Sequence, residues 1–161
     1  MFKIRADFSE TFEVNANLEK VREFFTDVRN FVELMPGIES IHTDSNGVIH
    51  WKICANIPFV GSFTEKFAVV ESENSDERVE WSPFERDGYN LMRYAADFFP
   101  KSKESTLVQY SQNVELRRNS AADLHFLAGF AGERTISSEM TRRISEMLKK
   151  FIEKSRLRME S

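Results

Sequence analysis

The chain has 161 residues, 41% of them hydrophobic and 30% charged, with a formal net charge of -4. That length suits one domain burying roughly 70% of its unfolded surface, the composition is that of an ordinary globular protein, and the negative balance argues against nonspecific nucleic-acid binding. One cysteine, Cys54, excludes an intrachain disulfide and a multi-thiolate metal site, and no apolar run approaches the roughly 20 residues of a membrane span.

The chain opens with alternation. Phe2, Ile4, Ala6, Phe8, Phe12 and Val14 share one face and Lys3, Arg5, Asp7, Ser9, Thr11 and Glu13 the other, with Glu10 the exception. This is a half-buried strand and not a signal peptide, so the expected location is cytoplasmic. Asn15 or Asn17 can cap the helix that follows, whose apolar face is Leu18, Val21, Phe24 and Phe25. A second short helix, Val28 to Met35, carries Val28, Phe31, Val32 and Met35, and Pro36-Gly37 ends it in a type II turn.

Period two then takes over. Gly37 to Asp44 and Val48 to Ile57 read as strands joined at Asn46-Gly47, a signal for a two-residue type I′ hairpin. After a turn at Ile57 to Gly61, strands are predicted at Ser62 to Ser72, Arg78 to Phe84, Asn90 to Phe98 and Ser105 to Arg117. Asn74-Ser75-Asp76, Arg86-Asp87-Gly88 and Pro100 to Glu104 separate them. From Ser120 either one helix runs on, kinked at Gly129 and Gly132, or a loop precedes a helix starting near Thr135. The end of the chain is a long amphipathic helix with the stripe Ile136, Met140, Ile144, Met147, Leu148, Phe151, Ile152. Glu139 with Arg143 and Glu146 with Lys150 form i,i+4 pairs in the favourable order. No repeat or linker divides the chain, so residues 1–161 are expected to form a single domain.

The order is strand, two short helices, six strands and a long helix. It resembles the helix-grip fold of the START-like superfamily, also called SRPBCC, which includes pollen-allergen-like proteins, lipid-transfer domains and polyketide cyclases. The stretch EVNANLEKVREFFTDVRNFVELMPGIES is similar to the opening of the group named after the G subunit of carbon monoxide dehydrogenase. IPFVGSFTEKFAVVE and FLAGFAGERTISSEMTRRISEML resemble that group's strand-turn-strand and its glycine-broken entry into the last helix. The resemblance implies an α+β fold in which a seven-stranded antiparallel sheet wraps the C-terminal helix around an apolar tunnel. It implies binding or transport of a hydrophobic small molecule, a lipid, polyketide or similar, with no cofactor. The alternatives are a polyketide cyclase-, aromatase- or dehydratase-like enzyme and an assembly factor for a larger complex. Neither nucleic acid nor an integral membrane is an expected partner.

Ligand-contacting candidates follow. Trp51, Phe67, Trp81, Tyr94, Phe98 and Tyr110 sit in predicted strands, where they serve as core or as cavity wall. The hydroxyls of Tyr94 and Tyr110 need partners if buried. Met140, Ile144 and Met147 are expected to line a tunnel of at least roughly 300 Å³. Glu65 shares the parity of Phe63, Phe67 and Val69: an unbroken strand points it inward as a polar anchor or general base, whereas a β-bulge returns it to solvent. Gln112 and Glu10 pose the same question. Phe126, Leu127 and Phe130 beside Gly129 and Gly132 read as a lid or as ordinary packing. No metal site is expected. With a two-residue turn His42 lies opposite Trp51, so His42 and His50 point to opposite faces, while a three-residue turn changes the pairing. His125 stands alone, and Cys54 reads as an inert thiol.

Overall fold

The computed structural model describes residues 2–57, 61–84, 90–120 and 132–161. The chain begins with β1 (Phe2–Val14), α1 (Leu18–Thr26) and α2 (Arg29–Leu34). Six strands follow: β2 (Ile38–Thr43), β3 (Ile49–Ile57), β4 (Gly61–Asn74), β5 (Arg78–Pro83), β6 (Asn90–Ser102) and β7 (Ser105–Arg118). The chain closes with α3 (Glu133–Glu160). These seven strands join one antiparallel sheet in the order β1-β7-β6-β5-β4-β3-β2. No helix among the described residues is long and apolar enough to cross a membrane.

Local chemistry sets the boundaries. Asn17 caps α1, its Oδ1 accepting from Lys20 N at 2.8 Å. Gly37 takes φ 87° after Pro36, which turns the chain from α2 into β2. The β2–β3 hairpin departs from the two-residue turn. Asp44 and Val48 close a loop of Ser45, Asn46 and Gly47, with Asp44 Oδ1 accepting from Asn46 N and Val48 N, and Gly47 at φ 81°. The extra residue shifts the register, so His42 lies opposite His50, and Ile41 opposite Trp51. The two imidazoles stack on one face at 4.9 Å, and His50 Nε2 approaches Asp44 Oδ2 at 2.9 Å. The opposite-face placement of these histidines is therefore corrected.

The sheet bends around α3, and α3 is fastened along the β1 edge. Glu133 Oε1 accepts from Lys3 N, Ser137 Oγ from Arg5 N, and Thr141 Oγ1 donates to Arg5 O. These three side chains recur every four residues, one row along the helix. They satisfy backbone groups that an edge strand would otherwise expose. At the other end Glu160 Oε1 accepts from Asn15 N.

The solid core lies between the sheet and the C-terminal half of α3, where α1 and α2 add their apolar faces. Phe31 is its hub, with ring centroids 4.9 Å from Phe151, 5.2 Å from Tyr94 and 5.5 Å from Trp51. Phe25 stacks on Tyr110 at 6.0 Å. Each such side chain contributes roughly 1.5–3 kcal/mol by burial.

Candidate functional site

Burial along the α3 stripe is uneven. Ile136, Met140, Leu148, Phe151, Ile152, Ser155 and Met159 are buried, but Ile144 and Met147, on the same stripe, are only half-buried. The helix stands off the sheet there. Beneath it is a cavity of about 300 Å³. Its apolar wall is Met140, Ile144 and Met147 from α3, Ile53 from β3, Phe67 from β4, and Val114 and Leu116 from β7. Pro36 and Gly37 close one side, and the exposed residues Cys54, Arg143, Glu146 and Lys150 form its rim. The fit is tight at Gly37: a Cβ there would lie 3.1 Å from Met147 Sδ and 3.3 Å from Cys54 O.

Among the described residues, two polar side chains enter the apolar wall. Glu65 is one. The β3–β4 register runs without interruption from Ile49–Val69 to Ile57–Gly61, so no bulge turns Glu65 away and it faces the cavity. This corrects the bulge alternative. The strand can keep the charge inside because partners are built for it: Arg118 Nη2 and Asn90 Nδ2 each donate to Glu65 Oε2 at 2.7 Å. Asn90 Oδ1 in turn accepts from Arg118 Nη1 at 2.7 Å. Both members of the ion pair are largely shielded, at 14% and 16% side-chain exposure. Oε1 of Glu65 has no hydrogen-bond partner among the described residues.

Gln112 is the other. It is buried, and its Oε1 accepts from the Tyr110 hydroxyl at 2.7 Å. Burial pushes the Tyr110 phenol well above its ordinary value, so it stays protonated and donates. The Gln112 amide nitrogen meets only the Met92 thioether sulfur among the described residues, at 3.4 Å.

At the rim, the expected i,i+4 pairs give way to a different arrangement. Arg142 reaches both Glu139 and Glu146, at 2.9 Å each, because it stands i+3 from one and i-4 from the other. Cys54 Sγ donates to Glu39 Oε2 at 3.2 Å, and Lys52 Nζ pairs with Glu39 Oε1 at 3.2 Å. The Cys54 thiol and Lys52 together hold the Glu39 carboxyl below its ordinary value.

The structure brings together Glu65, Phe67, Met140, Ile144 and Met147 around the cavity. Trp51, Trp81, Tyr94, Phe98 and Tyr110 instead pack into the solid core, because Phe25, Phe31 and Phe151 fill the space beside them. The Tyr94 hydroxyl and the indole N–H groups of Trp51 and Trp81 are buried without hydrogen-bond partners among the described residues. Burial pushes the Tyr94 phenol far up, with Tyr110 adding to the rise, and the approach of Trp51 opposes it without reaching hydrogen-bond geometry. His125 and, apart from Gly132, the whole segment from Phe126 to Gly132, Phe130 included, read above as a lid or as ordinary packing, lie outside the described residues. Sequence reasoning passed over Ile53, Val114, Leu116 and Arg118. The signal for Val114 and Leu116 was available: they continue the inward parity of Tyr110 and Gln112 on β7. Arg118 continues the same parity at the end of β7, but parity does not name its partner: the bend of the sheet carries it to Glu65.

The fold recurs in solved structures. An aromatase/cyclase, Zhui, from Streptomyces sp. R1128 superposes with a TM-score of 0.63 at 13% identity, covering 98% of this chain and 97% of that one. A conserved protein from Geobacillus kaustophilus superposes with a TM-score of 0.66 at 12% identity, covering 97% and 95%. A START superfamily protein from Mycobacterium smegmatis gives 0.53 at 16% identity, covering 87% and 97%. At such identities the likeness is one of fold. No curated protein sequence matches the chain. The sequence profile of CoxG, the G subunit of carbon monoxide dehydrogenase, matches residues 11–155, nearly the full length. The opening stretch through the Pro-Gly turn, strands β2 to β7 and the entry into the last helix all fall within that match, and the chain belongs to the CoxG family, with a START-like helix-grip fold.

Proposed function

We propose that this protein binds, and by releasing it elsewhere carries, a hydrophobic small molecule in the cavity between α3 and the sheet. One observation carries the reading. A volume of about 300 Å³ walled by Ile53, Phe67, Val114, Leu116, Met140, Ile144 and Met147 lies beside an otherwise densely packed core. Ligand sites start at about that size and are lined mainly by apolar side chains with a few placed polar groups. Desolvation of the ligand supplies the driving force. Methionines at two wall positions suit ligands of varied outline, since the thioether side chain is flexible and polarisable.

The test uses the apolar fluorophore N-phenyl-1-naphthylamine. Wild-type protein brightens it on binding. Val114→Trp and Ile144→Trp, each checked for folding by circular dichroism, fill the cavity and abolish the signal. Alkylation of Cys54 at the rim with a bulky maleimide lowers affinity. An undiminished signal in both folded Trp variants refutes the reading. Native mass spectrometry with solvent extraction identifies any molecule carried through purification.

A second reading, a cyclase-, aromatase- or dehydratase-like enzyme, has one observation in its favour: Glu65 stands on the cavity wall with Oε1 unpartnered among the described residues. A carboxylate so placed is within reach of a bound carbonyl compound's acidic proton. Its test is conversion of a poly-β-carbonyl substrate by wild-type protein, lost in Glu65→Gln.

A further inference from the structure

We propose that Gln112 is the specificity-determining donor of this cavity, and that the occupant is an apolar molecule whose buried end carries a hydrogen-bond-accepting oxygen, a carbonyl above all. The inference rests on the cavity being a ligand site, as argued above. The side chain is buried within the β7 stretch of the wall, between Tyr110 and Val114 on the same face. Its orientation is dictated from one side: Oε1 is taken by the Tyr110 hydroxyl, itself buried beneath Phe25 and Phe151. With the phenol donating to Oε1 at 2.7 Å, the amide nitrogen is turned the other way, toward Met92 Sδ.

The two N–H bonds are then left with one poor acceptor among the described residues, the sulfur of Met92. A buried donor in that position costs free energy until something accepts from it. The neighbouring wall residues Phe67, Val114, Leu116 and Met140 have no side-chain oxygen to offer. Among the described residues, Glu65 is the one other acid or amide side chain set into the apolar wall; its Oε2 is claimed by Arg118 and Asn90, and neither of its oxygens accepts from Gln112. The remaining partner is the occupant. An oxygen that accepts from Gln112 gains a hydrogen bond in a dry site, while a hydrocarbon of the same shape leaves the amide unpaired.

Matched probes test this: 2-acetylnaphthalene carries the carbonyl, and 2-isopropenylnaphthalene replaces it with a methylene of the same outline. Affinities are measured by displacement of N-phenyl-1-naphthylamine from the full chain and from Gln112→Met, which conserves volume. The ratio of ketone to alkene affinity is expected to fall by roughly fivefold or more in the variant, the scale of one neutral hydrogen bond, with alkene affinity nearly unchanged. In wild-type protein the Gln112 side-chain amide resonances are expected to move on ketone titration more than on alkene titration. This second measurement decides the matter should Gln112→Met fail to fold. If both probes bind wild type but the ratio is the same in the variant, or the amide resonances respond equally to both probes, the role of Gln112 is refuted and the cavity reading survives. If neither probe displaces the fluorophore, or the fluorophore does not bind, the cavity reading falls and this inference with it.

Discussion

Replacing Arg118 by Met tests the argument that the cavity wall tolerates a charge only because the charge is matched. The substitution keeps most of the side-chain volume and removes the guanidinium with its three hydrogen bonds among the described residues, one of them to Arg117 O. Glu65 Oε2 loses its contact at 2.7 Å, and Asn90 Oδ1 loses another at 2.7 Å. The carboxylate is left with the Asn90 amide as its one remaining donor among the described residues. Breaking a fully buried ion pair by deleting one partner costs about 3–5 kcal/mol. Here both side chains retain a little exposure, 14% and 16%, which lets water soften the loss, so about 2–4 kcal/mol is expected.

Urea unfolding at neutral pH measures this cost, with an unchanged denaturant slope confirming that the compactness of the end states is preserved. Glu65→Gln alone is expected to cost about 1–2 kcal/mol, because Arg118 then loses a charged acceptor. The double variant is expected to be more stable than Arg118→Met by at least about 1 kcal/mol, since no uncompensated carboxylate remains. If the double variant loses the sum of the two single costs, the pair is uncoupled and the reasoning fails. A loss below about 0.5 kcal/mol in Arg118→Met, typical of an exposed pair, defeats it equally.

Other substitutions probe different parts of the same structure. Gly37→Ala forces a side chain onto φ 87° and sets its methyl 3.1 Å from Met147 Sδ; a loss of about 1–2 kcal/mol is expected from the left-handed backbone, with weaker binding of N-phenyl-1-naphthylamine as Met147 is pushed into the cavity. Tyr94→Phe and Tyr110→Phe are expected to act in opposite directions in thermal unfolding. The first removes a buried hydroxyl that has no partner among the described residues and is neutral or stabilising by up to about 1 kcal/mol, whereas the second strands Gln112 Oε1 and costs about 1–3 kcal/mol. Equal effects would contradict the hydrogen-bond assignment. On the outer face Glu80 is buried and engaged by Arg78 and Arg93; burial raises its carboxyl, the two guanidinium groups together outweigh that, and the net shift is below 4.5. A depressed folded value means that the stabilisation is complete above 4.5 and is lost as pH falls below it. The acid limb of a stability-versus-pH curve should therefore be shallower in Glu80→Gln, and an unchanged limb would show that the cluster does not hold Glu80 ionised.

Much of this fold is written in periodicity. The stripe on α3 and the alternation in β1 and β7 specify which faces meet, because each period allows one buried face. The hairpin between β2 and β3 was less legible. Asn46-Gly47 marks the turn, but the side chain of Asp44 decides its length by accepting from two backbone amides. That decision moves His42 from opposite Trp51 to opposite His50. The site was legible where it depends on the helix, at Met140, Ile144 and Met147, and on strand parity, at Glu65 and Phe67. It was illegible where it depends on how far the sheet bends. Parity places Tyr94 and Tyr110 on the inner face alongside Gln112, but only three-dimensional packing shows that Phe25 and Phe31 reach the tyrosines and leave Gln112 beside the cavity.

The cavity's position has a physical cause in the division of labour along α3. Its C-terminal half is packed against two helices as well as the sheet, and Leu148, Phe151, Ile152 and Met159 are buried there beside Phe24 and Phe31. The N-terminal half has no such helices beneath it among the described residues. It is attached at one side by Glu133, Ser137 and Thr141, which hold the backbone of β1. A rod clamped at one end and fastened along one edge at the other leaves the opposite edge less supported, and β3 and β4 pass there across the cavity. Filling that gap with larger side chains would need aromatic residues at 144 or 147, yet the sequence supplies Ile and Met. Close packing is the rule for interiors, so a gap bordered by undersized and flexible residues, with a matched charge and an underused amide set into its wall, is where the fold departs from packing for its own sake.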